Sequence, residues 1–117
     1  MANAPKTSLR LERINSEILH EVRQYIVTQL DDPILKQAQF DRVETSKDLS
    51  QTKLYFTIAD PNISKKQLTL HLNGIANRLR HHLATVMNLR MTPQIKFYYD
   101  EQVEKTNRLL KVLAELE

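Results

Sequence analysis

Between Asp60 and Asp100 the chain holds no carboxylate. The run Pro61 to Tyr99 carries Lys65, Lys66, Arg78, Arg80, Arg90 and Lys96, together with His71, His81 and His82. Cations spread this way, with no acid among them, do not assemble a nucleophile or an acid–base pair. They make a local positive field, whose usual partner is a polyanion. Elsewhere the charge nearly cancels: residues 1–30 hold four Lys/Arg against three Asp/Glu, residues 31–60 four against six, and residues 100–117 three against five. Adding the six cations of the acid-free run gives the net charge of +3. A solvated helix face with surplus Lys and Arg is the competing account, and charge alone does not separate the two.

Other groupings promise less chemistry. His81 and His82 are adjacent in a helical pattern, so their side chains point ~100° apart and cannot easily share an ion. No metal site is expected. Ser46, Asp48 and Ser50 have no histidine near them in sequence, and short polar side chains in this order suit a turn in which they bond the backbone. The single glycine, Gly74, excludes a glycine-rich phosphate loop. The absence of cysteine excludes disulfides, cysteine-based zinc sites and thiol chemistry. Neither a cofactor nor an enzymatic activity is expected.

The elements that must position the cations follow from periodicity. Residues 1–6 read as a flexible tail and residues 7–117 as one domain, a length that buries roughly two-thirds of the unfolded surface. Hydrophobic content of 41% and charged content of 26% fit a soluble globular class. There is no run of ~18 apolar residues to span a membrane and no apolar stretch of a secretion signal at the amino end, so cytoplasmic residence is expected. Leu11, Ile14, Ile18, Val22, Tyr25, Ile26 and Leu30 recur at helical steps and predict a helix from about Ser8 to Leu30, capped by Thr7 or Ser8 and ended by Pro33. Leu54, Phe56 and Ile58 alternate with polar neighbours as in a strand. In the strand before it, Gln37 to Thr45, Ala38 and Phe40 have one parity and Val43 and Thr45 the other, which predicts a β-bulge near Asp41–Arg42. Ser64 with Gln67 has capping-box spacing and opens a helix with Leu68, Leu72, Ile75, Leu79, Leu83 and Val86 on one stripe. Gly74 and Asn77 in its middle predict either a bend or a division into two helices. Ile95, Phe97 and Tyr99 mark a third strand, parallel to a neighbour. A final amphipathic helix uses Val103, Leu110, Leu113 and Leu116, with Glu101–Lys105 and Glu104–Arg108 as i,i+4 pairs.

Two stretches carry a family resemblance. Val43-Glu44-Thr45-Ser46-Lys47-Asp48-Leu49-Ser50-Gln51-Thr52-Lys53-Leu54-Tyr55 matches V-x-x-S-x-D-L-S-x-A-K-V, and Leu89-Arg90-Met91-Thr92-Pro93-Gln94-Ile95-Lys96-Phe97-Tyr98-Tyr99-Asp100 matches L-R-x-x-P-x-L-x-F-x-x-D. Asp32-Pro33, Arg13 with Ile18, and Leu79-Arg80 with Leu83 match the same family's D-P, R-x-x-x-x-I and I/L-R-x-x-L. From about Arg10 to Leu113 the chain resembles bacterial ribosome-binding factor A. The resemblance implies an α+β, type II KH-like domain: helix, two strands, a kinked helix, a strand and a C-terminal helix, with the three-stranded sheet covered by helices on one face. It implies a non-enzymatic assembly factor that binds the free small ribosomal subunit, supports maturation of 16S rRNA and matters most in the cold. The implied partner is the small subunit and its rRNA, with no DNA, no membrane and a monomeric chain. The chain departs from the family in having Ile75-Ala76-Asn77 where the family's long helix bends at Ala-x-Gly, and Thr106 where a late glycine is usual.

Arg80 and Arg90 lie in the acid-free run and match family positions, so they lead the candidate RNA contacts, although Arg90 also suits a helix C-terminus. Arg78, Lys65, Lys66 and Lys96 suit backbone phosphates without base specificity. Arg13 has Glu17 at i+4 as its alternative partner, and Lys47 lies in an exposed link. Neutralising about five phosphates lowers affinity by roughly two to three decades between ~50 and ~200 mM salt. The alternative function is a protein-interaction module whose basic helix docks on an acidic protein. Tyr55 and Tyr98 on the outer face of the sheet offer stacking surfaces for unpaired bases, or edge packing against the terminal helix.

Overall fold

The computed structural model describes residues 7–116; the predicted tail and the capping side chains of Thr7 and Ser8 lie outside what is described. Helix α1 (Thr7–Gln29) buries Ile14, Ile18, Val22 and Ile26 on one stripe. It stops before Pro33. There Asp32 Oδ1 accepts the Ile34 amide at 2.9 Å and opens a short 3-10 turn, Leu35–Gln37. Strands β1 (Ala38–Thr45) and β2 (Gln51–Ile58) pair antiparallel. Their register slips between Phe40 and Arg42, which is the predicted bulge. Arg23 of α1 donates to the Phe40 carbonyl at that slip and ties the bulge to the helix.

Helix α2 (Lys65–Val86) starts at the Ser64 cap, whose Oγ accepts the Gln67 amide at 3.0 Å. It runs unbroken through Gly74 and Asn77, so the division into two helices does not occur. Its buried stripe is Leu68, Leu72, Ile75, Leu79 and Leu83. Val86, expected on that stripe, is exposed; the backbone turns extended at Met87, which takes the buried place instead. Strand β3 (Gln94–Tyr99) pairs parallel with β2, giving the order β1-β2-β3 with β2 central and β3 at an edge. Helices α1 and α2 cover the face carrying Phe40, Leu54, Phe56, Ile95 and Phe97. Thr52, fully buried on that face, pairs its hydroxyl with Thr45 at 3.0 Å, and Thr45 donates to Asn15 Oδ1 of α1 at 2.6 Å. This polar chain satisfies the buried hydroxyls.

The last helix, α3 (Glu101–Glu115), is capped by Asp100, whose Oδ1 accepts the Val103 amide at 3.3 Å. None of its side chains is buried, and Leu110, Leu113 and Leu116 of the expected stripe are exposed. The amphipathic pattern is present, but it does not pack into the core. Of the two expected i,i+4 pairs only Glu104–Arg108 forms, at 2.9 Å; Glu101 turns to Lys65 at 3.0 Å.

Candidate nucleic-acid interface

Folding returns carboxylates to part of the acid-free run. Lys65 is paired with Glu101 and lies 4.5 Å over the Tyr99 ring. His71 Nδ1 sits 2.8 Å from Asp32 Oδ2, and His82 Nε2 3.2 Å from Glu21 Oε1 with its ring against Tyr25. Burial pushes the Asp32 pKa up, but His71 and the Ile34 and Leu35 amides outweigh it and hold the carboxyl below its usual value. Lys66, Arg78, Arg80, Arg90, Lys96 and His81 have no carboxylate within ion-pair distance among the described residues.

These cations divide by flank. On α2, residues 78 and 80 lie about 200° apart. Arg78 shares the α1-facing flank with His71 and His82, whereas Arg80 faces β3. The Arg80 guanidinium donates through Nε at 3.3 Å and Nη2 at 3.1 Å to the Thr92 carbonyl, which fixes it between the helix and the loop entering β3. Around it runs a groove along the free edge of β3. One part is lined by Asn77, Arg80, His81, Ala84 and Thr92. The adjoining part is lined by Ala76, Asn77, Arg80, Gln94, Ile95 and Lys96. Among the described residues, no acidic side chain lines either part. Lys66 stands on the same outer flank of α2, about 21 Å along the axis from Arg80. Arg90 is exposed two residues before Thr92.

The remaining candidates stand elsewhere. Lys47 is in the β1–β2 turn, beside Arg10, Leu11 and Ile14 of α1. That turn and the loop carrying Arg90 meet at one end of the sheet, since the Gln94 amide donates to the Ser50 carbonyl at 2.9 Å. Arg13 is exposed on α1 and, among the described residues, forms no ion pair with Glu17. Ser46, Asp48 and Ser50 close the turn on themselves. Asp48 accepts both hydroxyls at 2.7 Å and the Ser50 amide at 3.1 Å. The two serine hydroxyls and that amide lower its pKa to about 2. Leu49 in this turn adopts φ 60°, a left-handed conformation that a side chain makes unfavourable. Its side chain packs against the core, which offsets that strain.

Asn77 and Gln94 line the groove although charge reasoning passed over them; their polarity and their spacing from Arg80 and Lys96 were the available signal. On the outward face of the sheet stand Lys53, Tyr55, Lys96 and Tyr98, as strand alternation requires. Arg42 joins them because the bulge reverses its parity.

The fold has counterparts among known proteins. The model of the family described as ribosome-binding factor A matches residues 10–113. A ribosome-binding factor A of Legionella pneumophila is 36% identical over 108 residues, covering 92% of this chain and 86% of its own. A solution structure from Thermotoga maritima bearing the same family name superposes with a TM-score of 0.67 at 31% identity, covering 81% of this chain and 91% of that one. A homology model of the Thermus thermophilus protein, fitted into a cryo-EM map of its 30S complex, superposes with a TM-score of 0.59 at 23% identity, covering 72% and 88%. With the matched model reaching from the first turn of α1 into α3, and with the KH-like order of helices and strands, the chain belongs to the ribosome-binding factor A family.

Proposed function

We propose that this protein binds the free small ribosomal subunit through 16S rRNA, as a non-enzymatic cytoplasmic assembly factor that acts as a monomer and supports rRNA maturation, chiefly in the cold. The observation that carries the reading is the carboxylate-free groove between α2 and β3, with Arg80 pinned at its centre and Lys96 on its rim. Arg80 and Lys96 serve there as phosphate contacts, with Arg90 on the loop leading to β3 and Lys66 further along the same flank of α2 extending the contact. Arg78, Lys47 and Arg13 serve as outlying contacts, and Lys65 contributes less because Glu101 neutralises it. No glycine-rich clamp is available to grip a single strand, so shape and phosphate contacts on folded rRNA dominate. The 30S complex of the Thermus thermophilus protein supports the choice of subunit.

Sedimentation of the purified chain with small subunits, 70S ribosomes and polysomes tests the reading, with salt as the variable. Four phosphate contacts give a slope of log affinity against log salt of about −3 to −4. Lys66→Glu, an exposed change that removes no hydrogen bond within the fold, lowers that slope by about one. A flat salt dependence, or association with translating ribosomes alone, overturns the proposal. Docking on an acidic ribosomal protein is the second reading, and association that survives nuclease digestion of the RNA would establish it instead.

A further inference from the structure

The outward face of the sheet holds a row of stacked groups. Tyr55 and Tyr98 are register partners on β2 and β3, with ring centroids 5.9 Å apart and planes 32° from parallel. The Arg42 guanidinium lies 3.8 Å from the Tyr55 centroid. Glu44 at 3.3 Å and the buried Asp100 at 3.2 Å hold it in place, and Glu44 also accepts the Tyr55 hydroxyl at 3.1 Å. The row ends at Tyr98, which is 41% exposed. Beside it Lys53 and Lys96 are direct partners in the ladder, both exposed, with the Lys53 ammonium 5.7 Å from the Tyr98 centroid. Like charges placed directly opposite on a sheet are destabilising. Glu44 is the register partner of Lys53 on β1, but its oxygens are taken by Arg42 at 3.3 Å and the Tyr55 hydroxyl at 3.1 Å, so an anion bound between the two lysines would offset their repulsion.

We propose that this face is a second RNA contact, on which one unpaired nucleotide stacks its base on Tyr98 while Lys53 and Lys96 hold the neighbouring phosphates. The inference rests on the RNA-binding reading above and extends it, because Lys96 borders both the α2–β3 groove and the open face. An acidic peptide would satisfy the two lysines but leave the exposed ring unmatched. Every base has a π-face, so such a contact is tolerant of sequence and adds to shape recognition in the groove without demanding a motif.

The test uses the full chain with purified small subunits. Ultraviolet cross-linking, nuclease digestion and mass spectrometry are expected to place a nucleotide adduct on the tryptic peptide Phe97–Lys105. Tyr98→Ala is expected to weaken binding roughly 5- to 140-fold. Tyr98→Phe leaves it unchanged, since the ring that stacks is retained. Wild-type affinity in Tyr98→Ala overturns the inference. So does weakened binding with no adduct and an association that survives nuclease, which marks a protein contact. If the wild-type chain binds subunits and Lys66→Glu weakens it while Tyr98→Ala does not, only this inference fails. If the wild-type chain does not bind subunits at all, both proposals fall.

Discussion

Replacing Gly74 by alanine is expected to stabilise the protein, and the reason can be followed atom by atom. Gly74 lies ten residues into a 22-residue helix. Its φ is not positive, and it is exposed. A Cβ built there meets nothing within 4 Å outside the helix's own nearby backbone. No steric term opposes the change, and what remains is the helix preference of alanine over glycine, about 0.8–1 kcal/mol. Part of that gain arises in the unfolded chain, which alanine makes less flexible. For a domain of this size the midpoint of thermal unfolding rises by about 3–6 °C. Circular dichroism on heating reads that shift, and urea titration should show a higher midpoint at an unchanged slope. A fall in the midpoint would refute the reasoning, because it would mean that the folded helix needs a bend only glycine permits. Subunit sedimentation adds a functional arm. Stabilisation with undiminished binding shows that the unbroken helix is the binding form; stabilisation with lost binding locates the need for a bend in the bound state.

Two further changes probe the turn and the last helix. Asp48 should titrate at about 2 by NMR, because the Ser46 and Ser50 hydroxyls bind its charged form. A folded pKa below the ordinary 3.8 means that the contribution of this turn to stability is complete above pH 3.8 and fades as pH falls through about 2. Ser46→Ala should move the titration toward its ordinary value, and an unmoved titration would sink this account. Truncation after Glu104 keeps the Asp100 cap and, among the described residues, removes only exposed side chains; the denaturation midpoint should shift by less than that of a buried Leu79→Ala, which removes about 2–5 kcal/mol. A comparable loss on truncation would show that α3 packs on the body in solution.

Much of the fold was legible in the chain because local rules and tertiary packing agree. The two leucine and isoleucine stripes, the Ser64 cap, the Pro33 stop and the parity change at Asp41 each state their own structure. The bulge is the clearest case: Phe40 and Val43 can face one core only if a residue is inserted between them. The family's two motifs were also visible, since they occupy the turn at Ser46–Ser50 and the entry to β3 at Pro93, where backbone geometry restricts the residues allowed.

Other features arise only when distant segments meet. A stretch without acids along the chain is not a surface without acids in space: Asp32, Glu21 and Glu101 reach across from other elements to His71, His82 and Lys65. Arg78 and Arg80 are neighbours in sequence but opposite on the helix, and only β3 and the Thr92 carbonyl decide which of them borders the groove. The amphipathic pattern of α3 indicates a helix with an apolar side, yet hydrophobicity carries no direction, and the fold leaves that side exposed. Sequence thus determined which segments curl or extend, and the sign of their charge. Three-dimensional packing decided which charges remain unpaired, because Coulomb interaction depends on distance through space and not along the chain.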